Sequence, residues 1–78
     1  MDYIYQVCGI VLSVGMPFDF RGRGYCGVNI KMSMPINRET HITVYAPEDV
    51  VQAAGIGGAV SGDAILARVA GLWSYVII

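Results

Sequence analysis

The segment from Tyr25 to Met34 alternates between apolar and polar positions almost without interruption. Neighbouring side chains of a β-strand point to opposite faces, so this alternation predicts a strand with one buried side. The apolar, core-facing set is Cys26, Val28, Ile30, Met32 and Met34, and the opposite set is Tyr25, Gly27, Asn29, Lys31 and Ser33.

The same alternation returns after a predicted loop from Pro35 to Glu39. Ile42 and Val44 continue the apolar face, and His41, Thr43 and Tyr45 continue the polar one. If the two strands pair as a hairpin, their outer face combines aromatic, basic and hydrogen-bonding groups, which is unusual for a plain solvent-facing surface. This outer face carries Tyr25, Asn29, Lys31, His41, Thr43 and Tyr45.

The N-terminal part predicts one long strand followed by a loop. Tyr3 to Val14 is rich in Val, Ile and Tyr on both faces, and Gly9 within it marks a bulge or a sharp bend. Gly15 to Gly24 contains Pro17 and three glycines, which favour turns, so this segment is interpreted as a loop.

The C-terminal half predicts a short helix and two more strands. Proline and acidic residues are favourable in the first turn of a helix, so the helix is placed from Pro47 to Ala54, where Gly55 ends it. Asp63 to Ala70 is interpreted as a strand because it is short and lies between two glycines, although a helix is the alternative. A last strand runs from Leu72 to Ile78.

The resulting order is three strands, a helix and two strands. This is the order of an OB-fold, a small all-β barrel of five strands with a helix between strands three and four. The 78 residues form a single domain.

Composition indicates that the chain covers part of its surface with copies of itself. Apolar residues make up 55% of the sequence and charged residues 14%, which is too apolar for a small barrel to bury alone. Membrane insertion is the competing explanation, but no apolar run reaches the ~18 residues that a spanning helix needs. Asp2 also stands where a signal peptide would be basic. We therefore expect a homo-oligomer, a dimer or tetramer, away from membranes.

Charge and cysteine content bear on the cellular location of the protein and on whether it binds nucleic acid or a metal. The net charge of -1 gives no global argument for or against nucleic acid. Cys8 and Cys26 are both expected on core faces as free thiols, which is typical of a cytoplasmic protein, with a disulfide between them as the alternative. With two distant cysteines and one histidine, no zinc-site spacing exists, and neither a metal nor a cofactor is expected.

Two segments carry a family resemblance. HITVYAPEDVVQAA and, after a glycine-rich break, GDAILARVAGLWSY are similar to bacterial and phage single-stranded DNA-binding proteins, and also to primosomal replication protein N. In that family a third strand leads into a short helix, a Gly-Asp or Gly-Glu turn and an apolar strand that ends in glycine. The matching positions here are Val7, Gly9, Val11, Gly62, Asp63, Ile65, Val69 and Gly71. The resemblance implies an OB-fold that binds single-stranded DNA, with replication proteins as further partners.

Aromatic and basic residues are the candidates for contacting DNA, because rings stack on bases and cations follow phosphates. In the loop after the first strand, two phenylalanines alternate with two arginines. Packing of those phenylalanines on their own barrel, and of the hairpin tyrosines or Trp73 in a subunit interface, is the alternative. The candidate set is Phe18, Phe20, Arg21, Arg23, Tyr25, Asn29, Lys31, Arg38, Tyr45 and Trp73.

An enzyme is not expected. Gly22, Gly24 and Gly27 match a dinucleotide-binding spacing, but a strand follows them where that motif needs a helix. His41 has no evident nucleophile or orienting acid. The expected function is to coat single-stranded DNA in replication or recombination with little sequence preference. The alternative is a small self-assembling β-barrel interaction module without nucleic-acid binding.

Overall fold

The computed structural model describes residues 4–36 and 38–78. Five strands and one short helix follow one another along the chain. They are β1 (Ile4–Phe20), β2 (Arg23–Ile36), β3 (Glu39–Pro47), α1 (Glu48–Ala54), β4 (Ala59–Val69) and β5 (Leu72–Ile77). The strands close into a barrel in the order β1-β2-β3-β5-β4. The predicted small OB-like, all-β fold, with its helix between the third and fourth strands, is therefore confirmed.

One pair of strands closes the barrel in parallel, whereas the other neighbours are antiparallel. This closing pair joins β3 to β5 through Val44 opposite Tyr75 and Tyr45 opposite Val76. The seam is short, and the Ser74 hydroxyl adds a hydrogen bond to the main-chain oxygen of Thr43 beside it.

The alternation along β2 sorts its residues into core and surface as predicted. Cys26, Val28, Ile30 and Met32 are buried, and Val44 on β3 continues this face. The side chain of Met34 lies outside the described part of the chain. Together with residues from the other elements, these form the main core: Val7, Val11, Cys26, Val28, Ile30, Met32, Val44, Ala46, Val51, Val60, Ala64 and Ile77.

The predicted loop from Gly15 to Gly24 is wrong. β1 continues to Phe20, and β2 already begins at Arg23. Arg21 and Gly22 alone make the turn, with φ of 53° and 78°, and positive φ at both central residues is typical of the turn that fits twisted hairpins. Two register shifts between Val11 and Pro17 bend the strand while it stays paired. Gly15 and Pro17 thus belong to a bulged strand, although their residue types favour turns.

The remaining boundaries differ less from the predictions. Tyr3 and Asn37 lie outside the described residues. The helix covers Glu48–Ala54 and is followed by Gly55 with φ of 69°, one residue shorter than predicted. β4 begins at Ala59, four residues before the predicted start, because Val60 and its neighbours pair with β1.

Cysteine placement agrees with the prediction at one of two positions. Cys26 is buried, whereas Cys8 is exposed, which contradicts its expected place in the core. Both thiols are free, so the disulfide alternative does not apply. Among the described residues, no helix is long and apolar enough to cross a membrane.

Candidate nucleic-acid interface

Four of the aromatic residues expected to contact DNA pack against one another. Phe18 lies edge-on to Tyr45 with ring centroids 4.9 Å apart, and Phe20 lies edge-on to Tyr25 at 5.5 Å. Phe18 and Tyr25, which are partners across β1 and β2, have centroids 6.4 Å apart. We call these four rings the aromatic cluster.

The aromatic cluster covers one end of the outer face of β1, β2 and β3. Tyr25 and Tyr45 leave their strands on the side opposite the main core, as predicted, but they are only 7% and 9% exposed. Residues of the β4–β5 hairpin pack against the same rings, namely Ala67, Val69 and Val76. The outer face predicted to contact DNA is therefore not open to solvent at Tyr25 and Tyr45, because the ends of the β1–β2 and β4–β5 hairpins pack against their rings.

The two arginines of the β1–β2 turn are partly engaged as well. The Arg21 guanidinium lies 5.1 Å from the centroid of the Phe20 ring, within cation–π range. Arg23 Nη2 lies 3.5 Å from Asp49 Oδ1 in the first turn of α1. Both members of that ion pair are exposed, so it contributes little to stability, but Asp49 offsets the charge that Arg23 would offer to a phosphate.

The β4–β5 hairpin presents a different kind of surface. Its turn is made by Ala70 and Gly71 with φ of 51° and 81°, and Arg68 and Trp73 stand directly opposite each other just before and after it. Directly opposed residues share a face of the sheet. Trp73 is 66% exposed, the most open of the aromatic rings predicted to contact DNA, and we call this pair the Trp–Arg platform.

A row of polar side chains crosses β1, β2 and β3 on the outer face. Asn29 Nδ2 donates to Ser13 Oγ at 2.8 Å, and Thr43 Oγ1 donates to Asn29 Oδ1 at 2.8 Å. We call Ser13, Asn29 and Thr43 the polar row. All three residues are exposed, and their mutual bonds hold the side chains in fixed directions.

Two groups with basic nitrogen lie beside the polar row. Lys31 and His41 are direct partners across β2 and β3, and each stands two positions from a member of the row on the same face. An open depression of about 370 Å³ runs here, lined by Leu12, Ser13, Asn29, His41, Ile42 and Thr43. The outer hairpin face predicted from the alternation is thus open at its polar end and closed at its aromatic end.

The structure brings together some candidates and separates others. Phe18, Phe20, Tyr25 and Tyr45 form one cluster, Asn29 and Lys31 belong to a second surface, and Trp73 belongs to a third. Arg38 is exposed in the turn between β2 and β3, with φ of 69°. Ser13 was missed by the sequence argument, because the register shift between Val11 and Ser13 that turns it outward leaves no signal in the residue pattern.

Among the residues that the structure describes, no group of three or more His, Cys, Asp or Glu side chains could hold a metal ion. No protein-family model, curated protein or solved structure matches the chain. Its function is therefore inferred from the closed barrel and from the surfaces described above.

Proposed function

We propose that this protein binds single-stranded DNA with little sequence preference and coats exposed strands during replication or recombination. The observation that carries the proposal is the Trp–Arg platform. The exposed indole ring can stack on a base of a single strand, and the guanidinium beside it can contact a phosphate.

The platform suits a passive, sequence-tolerant mechanism. Every base has a π-face, so stacking on Trp73 contributes roughly 1–3 kcal/mol without reading sequence. Arg68 lies on the same face and can follow the backbone charge. Lys31 and Arg21 are further exposed cations on the barrel, and repetition of these contacts over an oligomer would compensate for the small number of cations on one copy.

Fluorescence anisotropy of a labelled oligo-dT strand, at low and moderate salt, tests this proposal. We expect salt-sensitive binding with quenching of Trp73, and loss of most of the affinity in Trp73→Leu. Leu72→Ala is the matched control, because Leu72 is 65% exposed on the same hairpin and points to the opposite face. Equal affinities for the wild type and Trp73→Leu would contradict the platform.

Self-assembly without DNA is the second candidate, and the outer half of β1 favours it. β1 pairs with β4 only as far as Ile10, so the described residues beyond Val11 leave one strand edge open. Leu12, Val14 and Met16 are exposed along this stretch, and Met16 is 86% exposed. Apolar edges of this kind are typical sites of strand pairing between copies.

Sedimentation of the wild type and Val14→Lys separates the two candidates. An oligomer that falls apart in Val14→Lys, with no oligo-dT binding by either protein, would support the interaction module. An oligomer that binds oligo-dT supports the DNA-binding proposal with assembly as part of it.

A further inference from the structure

The polar row has more hydrogen-bond donors than it uses. Its serine, asparagine and threonine side chains carry one, two and one donor hydrogens respectively. The two bonds within the row use two of these, so two donors remain for an external group. No other hydrogen bond within the described residues involves these three side chains.

This surplus does not depend on how the Asn29 amide is oriented. Exchange of its oxygen and nitrogen would reverse both bonds, so that Ser13 donates to Asn29 and Asn29 donates to Thr43. One amide hydrogen and one hydroxyl hydrogen would still remain. In either orientation the row offers two donors from atoms about 2.8 Å apart.

The local charge also favours an acceptor that is negative. Lys31 lies two residues from Asn29 on the same face of β2, about 7 Å along the strand. Glu39 is the acidic residue on the corresponding face of β3, and it lies four residues from Thr43, about 13 Å away. Along the strands the row is therefore nearer to Lys31 than to Glu39.

We infer that the polar row and Lys31 form a phosphodiester site, in which the two free donors hold the non-bridging oxygens and Lys31 neutralises the charge. The site rests on the proposed function, because it assigns the backbone of the bound strand to this surface. Leu12 and Ile42 line the same depression and give the apolar part of the sugar a surface to contact. The row thus fixes the backbone independently of the Trp–Arg platform, which holds a base.

Asn29→Asp is the variant that tests the phosphodiester site most directly. An aspartate has nearly the same shape and accepts hydrogen bonds from both Ser13 and Thr43, so the row can stay intact. Both hydroxyl hydrogens are then used, no donor remains, and a negative charge faces the bound phosphate. Gln52→Glu on the exposed face of α1 is the matched control for adding one carboxylate.

The experiment compares two strands by NMR of the Asn29 side-chain amide and by anisotropy. One strand is oligo-dT and the other is an abasic strand of the same length, which keeps the phosphodiesters and lacks the bases. We expect both strands to shift the Asn29 amide resonances, and Asn29→Asp to weaken binding of both by about tenfold or more. Gln52→Glu should change either affinity less than twofold.

The outcomes separate this site from the proposed function. Quenching of Trp73 by oligo-dT without any shift at Asn29 would overturn the phosphodiester site and leave the DNA-binding proposal standing. Shifts at Asn29 with both strands, but equal affinities for the wild type and Trp73→Leu, would support the site and remove the platform. Shifts caused by inorganic phosphate but by neither strand would overturn the assignment to a nucleic-acid backbone.

Discussion

The Phe18 ring lies edge-on to the Tyr45 ring with 4.9 Å between their centroids, although the two residues belong to different hairpins of the barrel. Both rings therefore belong to a small hydrophobic cluster on the outside of the barrel and are not free to stack on bases. The contact also separates candidate aromatic residues that stabilise the fold from Trp73, which remains exposed.

Replacement of Phe18 by leucine should therefore lower stability and spare binding. Loss of the edge-on contacts should reduce the free energy of unfolding by about 1 kcal/mol, measured by urea denaturation. Met16→Ala, close by on β1 and highly exposed, should change it by less than about 0.5 kcal/mol. A loss of oligo-dT affinity in folded Phe18→Leu at unchanged stability would contradict this division of roles.

The arginines should differ in their contribution to salt dependence. Each phosphate contact on a single strand adds about 0.7 to the slope of log affinity against log salt. Arg68→Ala should reduce the slope by about that amount, whereas Arg23→Ala should reduce it less, because Asp49 already offsets the charge of Arg23.

Asp49→Asn provides the converse test of the same ion pair. It should release Arg23 and strengthen binding of oligo-dT at low salt. An unchanged affinity in Asp49→Asn, together with equal slopes for Arg23→Ala and Arg68→Ala, would show that the ion pair has no bearing on binding.

Gly9 should be intolerant of any side chain. A Cβ at Gly9 would lie 2.7 Å from the main-chain oxygen of Lys31, and that oxygen is fixed in the barrel wall. Gly9→Ala should lower the free energy of unfolding by about 1–3 kcal/mol, as overpacked sites do. Gly15→Ala is the matched change on the same strand, since its Cβ would lie 3.3 Å from the Gly27 oxygen. Equal urea midpoints for these two variants would count against a close approach of β1 and β2 at Gly9.

Cys26 should make stability depend on alkaline pH. Burial raises the pKa of the Cys26 thiol, and the negative charge of Glu48 raises it further. The folded state then keeps the proton to higher pH than the unfolded chain. The stabilisation is complete below the unfolded thiol pKa of about 8.5 and is lost as the pH rises through the higher pKa of the folded state.

Urea unfolding at about pH 7.5 and pH 9.5, in a Cys8→Ser background, measures this effect. Cys26→Ala should lose less stability over that interval than the protein with Cys26, whatever its stability at the lower pH. An equal loss in both proteins would show that Cys26 does not contribute.

The alternation of β2 and β3 was enough to predict the barrel wall, because Val28, Ile30 and Val44 face the core through the period of a strand alone. The covering of Tyr25 was not predictable in the same way. It depends on Phe18, which the bulged end of β1 places opposite Tyr25, and on β4–β5 residues such as Val69, which lie far away along the chain.

The polar row is a second feature that the sequence pattern predicts only in part. Asn29 and Thr43 follow the alternation and were expected on the outer face. Ser13 joins them because the chain slips by one residue after Val11, and such a bulge is set by pairing with β2 and not by a local residue preference. The same cause accounts for the wrong loop at Gly15.

The parallel seam between β3 and β5 makes the order of synthesis matter for folding. While β5 is still missing, β3 and β4 both have a bare edge, and such edges are prone to pair with other chains. The pairing of Val44 with Tyr75 joins residues that are far apart in the sequence, so it is expected to form late and slowly. A species in which β1 to β4 have paired but β5 has not yet joined should therefore be the one most prone to associate with other chains.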